Sequence, residues 1–194
     1  MTTITYLPEH LQQRLRAELK PGESLVWSSQ PNADQFMKSG FLLWLFFIPW
    51  TVISLIWIAS ALNFQLPQFN GGQNLFPLLG IPFVLIGIGG LCTPIWRKRH
   101  ARSIIYAITN QRAITIEGVK SFTVKSYSPS DISMLERHEG PDGLGSLILK
   151  SESYRDSDGI QQTTQYGFFA IENVRAVENF VQNLIRTNHS QLGN

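Results

Sequence analysis

Residues 41–64 read FLLWLFFIPWTVISLIWIASALNF. As one helix this stretch would extend roughly 36 Å, enough to cross a hydrocarbon core of about 30 Å with some tilt. Its polar members are Thr51, Ser54, Ser60 and Asn63. Hydroxyls can bond back to the helix, so the first three cost little. Pro49 lacks an N–H and is expected to bend the helix in its first third. A second apolar run, LFPLLGIPFVLIGIGGLCTPIW, covers 75–96. Pro77 suits an early helical turn, whereas Pro82 and Pro94 would kink or fray the helix. Gly87, Gly89 and Gly90 remove bulk and would let the first run approach closely. No Asp, Glu, Lys, Arg or His occurs anywhere in 39–96. The reading is a transmembrane helical hairpin at 39–96, with spans at about 41–64 and 75–96. The connector, Gln65–Asn74, is rich in amides and turn residues but uncharged. Lys38 precedes the first span, and Arg97-Lys98-Arg99-His100-Ala101-Arg102 follows the second. The positive-inside rule then predicts an integral membrane protein with two spans and both termini cytoplasmic.

The rest of the 194-residue chain carries most of the chemistry. Charged residues make up only 15% of the sequence and the net charge is +2. Residues 1–38 are balanced and 103–194 lean acidic, so the positive excess lies in the juxtamembrane linker 97–102. That distribution argues against nucleic-acid binding, which calls for a broader basic surface. The single cysteine, Cys92, rules out an intrachain disulfide framework. The first apolar run starts near residue 40 with no short basic region directly ahead, which argues against a secretory signal peptide. Within the arm 1–38, Leu7, Leu11, Leu15 and Leu19 recur every fourth residue, as on one face of a helix that Lys20-Pro21-Gly22 would end. That face would cover either the membrane surface or the cytoplasmic domain, and the balanced charge of the arm favours packing on protein. Residues 24–28 then read as a short strand.

From Ser103 the pattern alternates. Strands are expected at 104–109, 112–117, 122–127, 132–136, 145–150 and 163–169, with Asp156-Ser157-Asp158-Gly159 as a hairpin tip. Val174, Val177, Val181 and Leu184 then line one face of a helix over roughly 172–187. The remainder, 188–194, reads as a flexible tail.

Antiparallel strands followed by a terminal helix resemble the bacterial membrane-anchored proteins with a pleckstrin-homology-like domain. The matching stretches are Tyr106–Arg112, the Gly143-Leu144-Gly145 turn, Phe169 and Ile171 ahead of the last helix, and Leu19–Glu23 with Trp27. The resemblance covers most of the chain, most clearly 103–187. It implies an α+β fold: a cytoplasmic PH-like antiparallel sandwich or barrel at 103–187, capped by the C-terminal helix. Such a fold has seven strands where six are counted after residue 103, so strand 24–28 is the candidate for the seventh. The family brings no settled biochemical activity.

No catalytic constellation is visible. His10, His100, His138 and His189 are scattered without ligand spacing, so neither a metal nor a cofactor is expected. Gly143–Ser146 lacks the ending of a phosphate loop, and no serine sits in a nucleophile elbow. Arg97, Lys98, Arg99 and Arg102 are candidates for contact with the membrane surface and anionic headgroups. Arg112 follows a tight turn and is either a ligand-binding arginine or a structural one paired with a carboxylate such as Glu117. These features predict a non-enzyme: a membrane-tethered interaction domain that binds a protein partner, self-associates or helps assemble a membrane complex. The alternatives are an anionic-lipid sensor and a small accessory subunit of a transporter or other membrane complex.

Overall fold

The computed structural model describes residues 7–38, 40–62, 79–118 and 121–192. The expected connector 65–74, Asn63 and Pro77 lie outside them, as does the beginning of the second apolar run. The chain forms two compact units: Met1–Phe36 together with Arg99–Asn194, and Met37–Lys98.

The first unit holds seven strands in two antiparallel sheets. β1 (Leu25–Ser29), β2 (Ile105–Thr109), β3 (Ala113–Glu117) and β4 (Thr123–Tyr127) form one sheet in that order. β5 (Glu136–Glu139), β6 (Gly145–Arg155) and β7 (Gln161–Ile171) form the other. β1 joins its sheet from across the apolar region, with Trp27 opposite Ile108 and Ser29 opposite Tyr106. Alternation explains why all of β2 is buried. Tyr106 and Ile108 face one core with Trp27, Leu147 and Phe168, while Ile105 and Ala107 face a second core with Ile114 and Ile116. Both faces of this strand are covered, which accounts for its unbroken apolar sequence.

Helix α1 (Glu9–Glu18) covers that second core, burying Leu7, Leu11 and Leu15 on the sheet. The short helix α2 (Ala33–Lys38) follows β1. The last helix of the unit, Val174–Leu192, buries Val174, Val177, Val181 and Leu184 in the first core. It runs on through residues read as a tail.

The sheets correct the expectation of a PH-like sandwich or barrel, because neither closes. No ladder joins β4 to β5 or β7 to β1 among the described residues. A single 3-10 turn at Pro129–Asp131 and irregular backbone leading to β5 interrupt the pairing. The fourth strand expected at 132–136 is displaced to Glu136–Glu139; Ile132 and Leu135 pack on the core without joining a sheet.

The second unit corrects the two-span reading. Among the described residues only α3 (Phe41–Ala61) is long and apolar enough to cross a membrane, by length and composition. The second run breaks into α4 (Ile81–Leu91) and α5 (Thr93–Ala101). Eleven helical residues extend only about 16 Å, half of the distance required. Proline sets both ends of α4. Pro82 occupies its first turn, and Pro94 cannot donate to the carbonyl four residues back, so a new helix starts beside it. The expected localisation as a two-span protein with both termini cytoplasmic falls with the second span. The helix Val174–Leu192 is α6.

Candidate functional site

Helix α3 and helix α4 pack through small residues. A methyl carbon added at Gly90 would lie 2.1 Å from the Phe47 ring, and one at Gly87 would lie 2.3 Å from Thr51 Oγ1. The Thr51 hydroxyl donates to the Phe47 carbonyl at 2.7 Å, and the Ser54 hydroxyl to the Trp50 carbonyl at 2.8 Å. The indole N–H groups cross between the helices, from Trp44 to the Leu91 carbonyl and from Trp50 to the Phe83 carbonyl, each at 3.2 Å. Thr51 and Ser54 are buried, whereas Leu42 is 82% exposed and Ile53 66%. A helix pair with hydroxyls and glycines inside and bulky hydrocarbon outside is shaped for an apolar solvent.

The basic cluster sits at the end of α5. Ile95, Trp96, Arg99, His100 and Arg102 are exposed, and Arg97 and Lys98 are half-buried. Arg97 lies over the backbone of Gly40, where an added methyl carbon would meet its guanidinium at 2.9 Å. The cations oppose the negative end of the helix dipole. The chain then turns inward: the Ser103 hydroxyl donates to the His100 carbonyl at 2.7 Å, and Gln30 Nε2 donates to the Arg102 carbonyl at 2.6 Å.

Arg112 is far more constrained. Its Nε donates to Glu23 Oε1 at 2.8 Å and its Nη2 to Glu23 Oε2 at 3.0 Å. Nη2 also reaches the Glu18 carbonyl at 2.9 Å, and Nη1 the Ser126 hydroxyl at 3.1 Å. The Thr109 hydroxyl and the Lys20 N–H donate to the same carboxylate at 2.7 and 2.8 Å. Glu23, whose side chain is sealed from solvent, thereby ties the end of α1 to the β2–β3 turn. The Arg112 fork is the chief reason its carboxyl is held down at about 2 against an ordinary 4.5, and burial opposes the shift. Arg112 is correspondingly raised, first by its hydrogen bond to Glu23.

The paired carboxylate is therefore Glu23. Glu117, the neighbour suggested by sequence proximity, contacts Lys125 at 3.3 Å. Sequence reading missed Glu23 because 89 positions separate it from Arg112. The signal lay in strand pairing: Leu25 stands opposite Thr109, which brings the residue two places before β1 beside the β2–β3 turn. The structure places Arg112 and the juxtamembrane cations in different settings, the first in a closed hydrogen-bond network and the second on an exposed helix end.

Among the described residues no group of three or more His, Cys, Asp or Glu side chains could hold a metal ion. The chain is a membrane-associated domain whose described residues present no obvious catalytic group. Comparison with known proteins finds no matching family model, curated protein or solved structure.

Proposed function

We propose that this protein is a membrane-tethered, non-enzymatic interaction domain: the apolar unit anchors it in a bilayer, and the sheet unit binds protein there. The observation that carries this reading is the inverted burial of Met37–Lys98. Its large hydrocarbon side chains point outward while Thr51 and Ser54 are enclosed. In water, such an exposed apolar surface would promote aggregation; in lipid it is the stable arrangement. The exposed Arg99 and Arg102 reinforce the anchor, because a cation near an anionic leaflet gains about 1 kcal/mol.

The test has two steps. Membranes bearing the protein are washed with alkaline carbonate, and the protein should stay in the pellet. The protein is then isolated in mild detergent with a tag at its C-terminus, and a stoichiometric protein partner should accompany it. Release into the wash would remove the tether. Purification as a lone chain with hydrolase or transferase activity would replace the interaction reading with an enzymatic one.

A further inference from the structure

Glycines hold α4 against α3. Added methyl carbons at Gly87 and Gly90 would collide with Thr51 and Phe47, and one at Gly80, just ahead of α4, would collide with Ile58 and the Trp57 ring. Beside this contact lies a groove of about 480 Å3, lined by Trp50, Ile53, Ser54 and Trp57 of α3 and by Gly80 and Phe83 across the seam. The volume is that of a ligand site, since pockets for small molecules run from roughly 300 to 1,000 Å3.

The shape of the groove follows from spacing. Its four α3 residues stand at i, i+3, i+4 and i+7, on one face of the helix. Seven residues of rise carry it about 10 Å along the helix axis. Its chemistry is almost wholly apolar. The Ser54 hydroxyl is engaged with the Trp50 carbonyl at 2.8 Å, and the Trp50 indole N–H with the Phe83 carbonyl at 3.2 Å. The Trp50 and Phe83 rings, with centroids 6.2 Å apart, join the two helices across the seam. A polar ligand would lose its water here for little return.

The groove opens on a face that belongs to the surroundings. Ile53 is 66% exposed and Phe83 49%, and Ile53 adjoins the exposed Ile56 one turn on. In a membrane-associated domain that hydrocarbon face meets lipid tails. A tail beside α3 runs along the helix, as the groove does. Inside the groove it would touch aromatic walls on two helices, whereas on the open face of α3 it touches one.

We propose that this groove holds one acyl chain of a bilayer phospholipid and keeps it longer than the lipids on the open face of α3. This rests on the membrane-tether reading and deepens it by placing a lipid site on the anchor.

The experiment puts the full-length protein in bilayer discs of a zwitterionic phospholipid. A trace of the same phospholipid carries a photoreactive diazirine in one acyl chain, and adducts are mapped by peptide mass spectrometry after irradiation. Val52 and Leu55 are the controls, exposed at the same level of α3 but on its opposite face. Adducts at Ile53, Trp57 and Phe83 should exceed those at the controls at least fivefold, and added unlabelled phospholipid should remove the excess. Ser54→Phe fills the groove and should bring labelling down to the control level. Ser54→Ala should keep the excess, because the hydroxyl it removes faces the Trp50 carbonyl. If Ser54→Phe fails to fold, Ile53→Trp narrows the groove from its exposed rim, and the loss is read at Trp57 and Phe83. Even labelling around α3, an excess that survives the filled groove, or an excess lost in Ser54→Ala would each overturn the proposal. An excess displaced by free fatty acid but not by phospholipid would overturn it in favour of the free acid. Even labelling leaves the tether intact, whereas a Met37–Lys98 segment without any adduct would remove the tether as well.

Discussion

In the sheet unit Tyr106, Leu147 and Phe168 are sealed from solvent, whereas in Met37–Lys98 the enclosed side chains are Thr51 and Ser54 and the exposed ones are Leu42, Ile53 and Phe46. Different forces hold the two units together. Removing hydrocarbon from water stabilises the sheets. Within lipid that force would have no purchase on the apolar helices. Close approach at Gly87 and Gly90, and the indole bonds from Trp44 and Trp50, take its place. Truncating an apolar side chain should therefore cost stability in the sheet unit and little on the exposed face of the helix pair.

The largest effect is expected at Trp27. It is 4% exposed, and its ring centroid lies 5.7 Å from that of Phe168. Trp27→Ala should cost about 3–5 kcal/mol, seen as a lower denaturation midpoint in the strand signal of circular dichroism. Leu42→Ala, on the exposed face of α3, should leave that midpoint unchanged. Equal losses from the two substitutions would abolish the distinction between the units.

Glu23 comes next. A folded-state value of about 2 lies below the ordinary 4.5, so its contribution is fully present above about pH 4.5. It declines as pH falls toward 2, and the shift corresponds to on the order of 3 kcal/mol. Glu23→Gln should lose most of this at pH 7 and show a flatter stability profile between pH 5 and 2 than wild type (endpoints roughly as for a paired carboxylate). A profile parallel to wild type would mean that other carboxylates carry the acid sensitivity. The Met37–Lys98 segment has no counterpart, since it contains no carboxylate side chain.

The glycines sharpen the comparison from the apolar side. A methyl carbon at Gly90 collides with Phe47, whereas one at Gly89 meets nothing within 4 Å. Gly90→Ala should cost about 1–3 kcal/mol of helix–helix stability by overpacking. Gly89→Ala should be neutral or stabilise by about 0.5–1 kcal/mol through helix propensity. Tryptophan fluorescence during denaturant titration in micelles reads both, because Trp44 and Trp50 report the α3–α4 contact. Two alanines with the same effect would show that the close approach does not govern packing.

The apolar unit was legible in composition, because no Asp, Glu, Lys, Arg or His interrupts 39–96. The second span was over-read for a physical reason. Hydropathy does not register where a helix stops, and Pro82 and Pro94 leave α4 only eleven residues. Strands with one or two apolar faces, such as β2 and β3, announced themselves by alternation. β5 did not, because all four of its side chains are exposed and only backbone pairing to β6 defines it. The outer halves of β6 and β7 were hidden in the same way, although Asp156–Gly159 marked their turn. The juxtamembrane cations stood out as a run. The Glu23–Arg112 pair did not, since register across the intervening apolar unit brings it together.

The smallest effect per residue is expected where the two kinds of surroundings meet in the sequence. Arg99 and Arg102 are exposed at the end of α5, after the exposed Trp96. A positive charge close to an anionic leaflet gains about 1 kcal/mol, so Arg99→Gln and Arg102→Gln should each lower the preference of the full chain for anionic over zwitterionic vesicles several-fold. Arg97 and Lys98 are half-buried, so their replacement would mix packing with charge. Arg99→Lys and Arg102→Lys should keep the preference, because surface attraction needs charge and place, whereas a site built on bidentate arginine forks would lose it. The measurement adds protein from dilute detergent to equal amounts of the two vesicle types and separates them by flotation at several salt concentrations. The preference should shrink as salt rises, because exposed charges are screened over about 8–10 Å. A salt-resistant preference that the lysine variants lose would instead place a stereospecific headgroup site at this helix end.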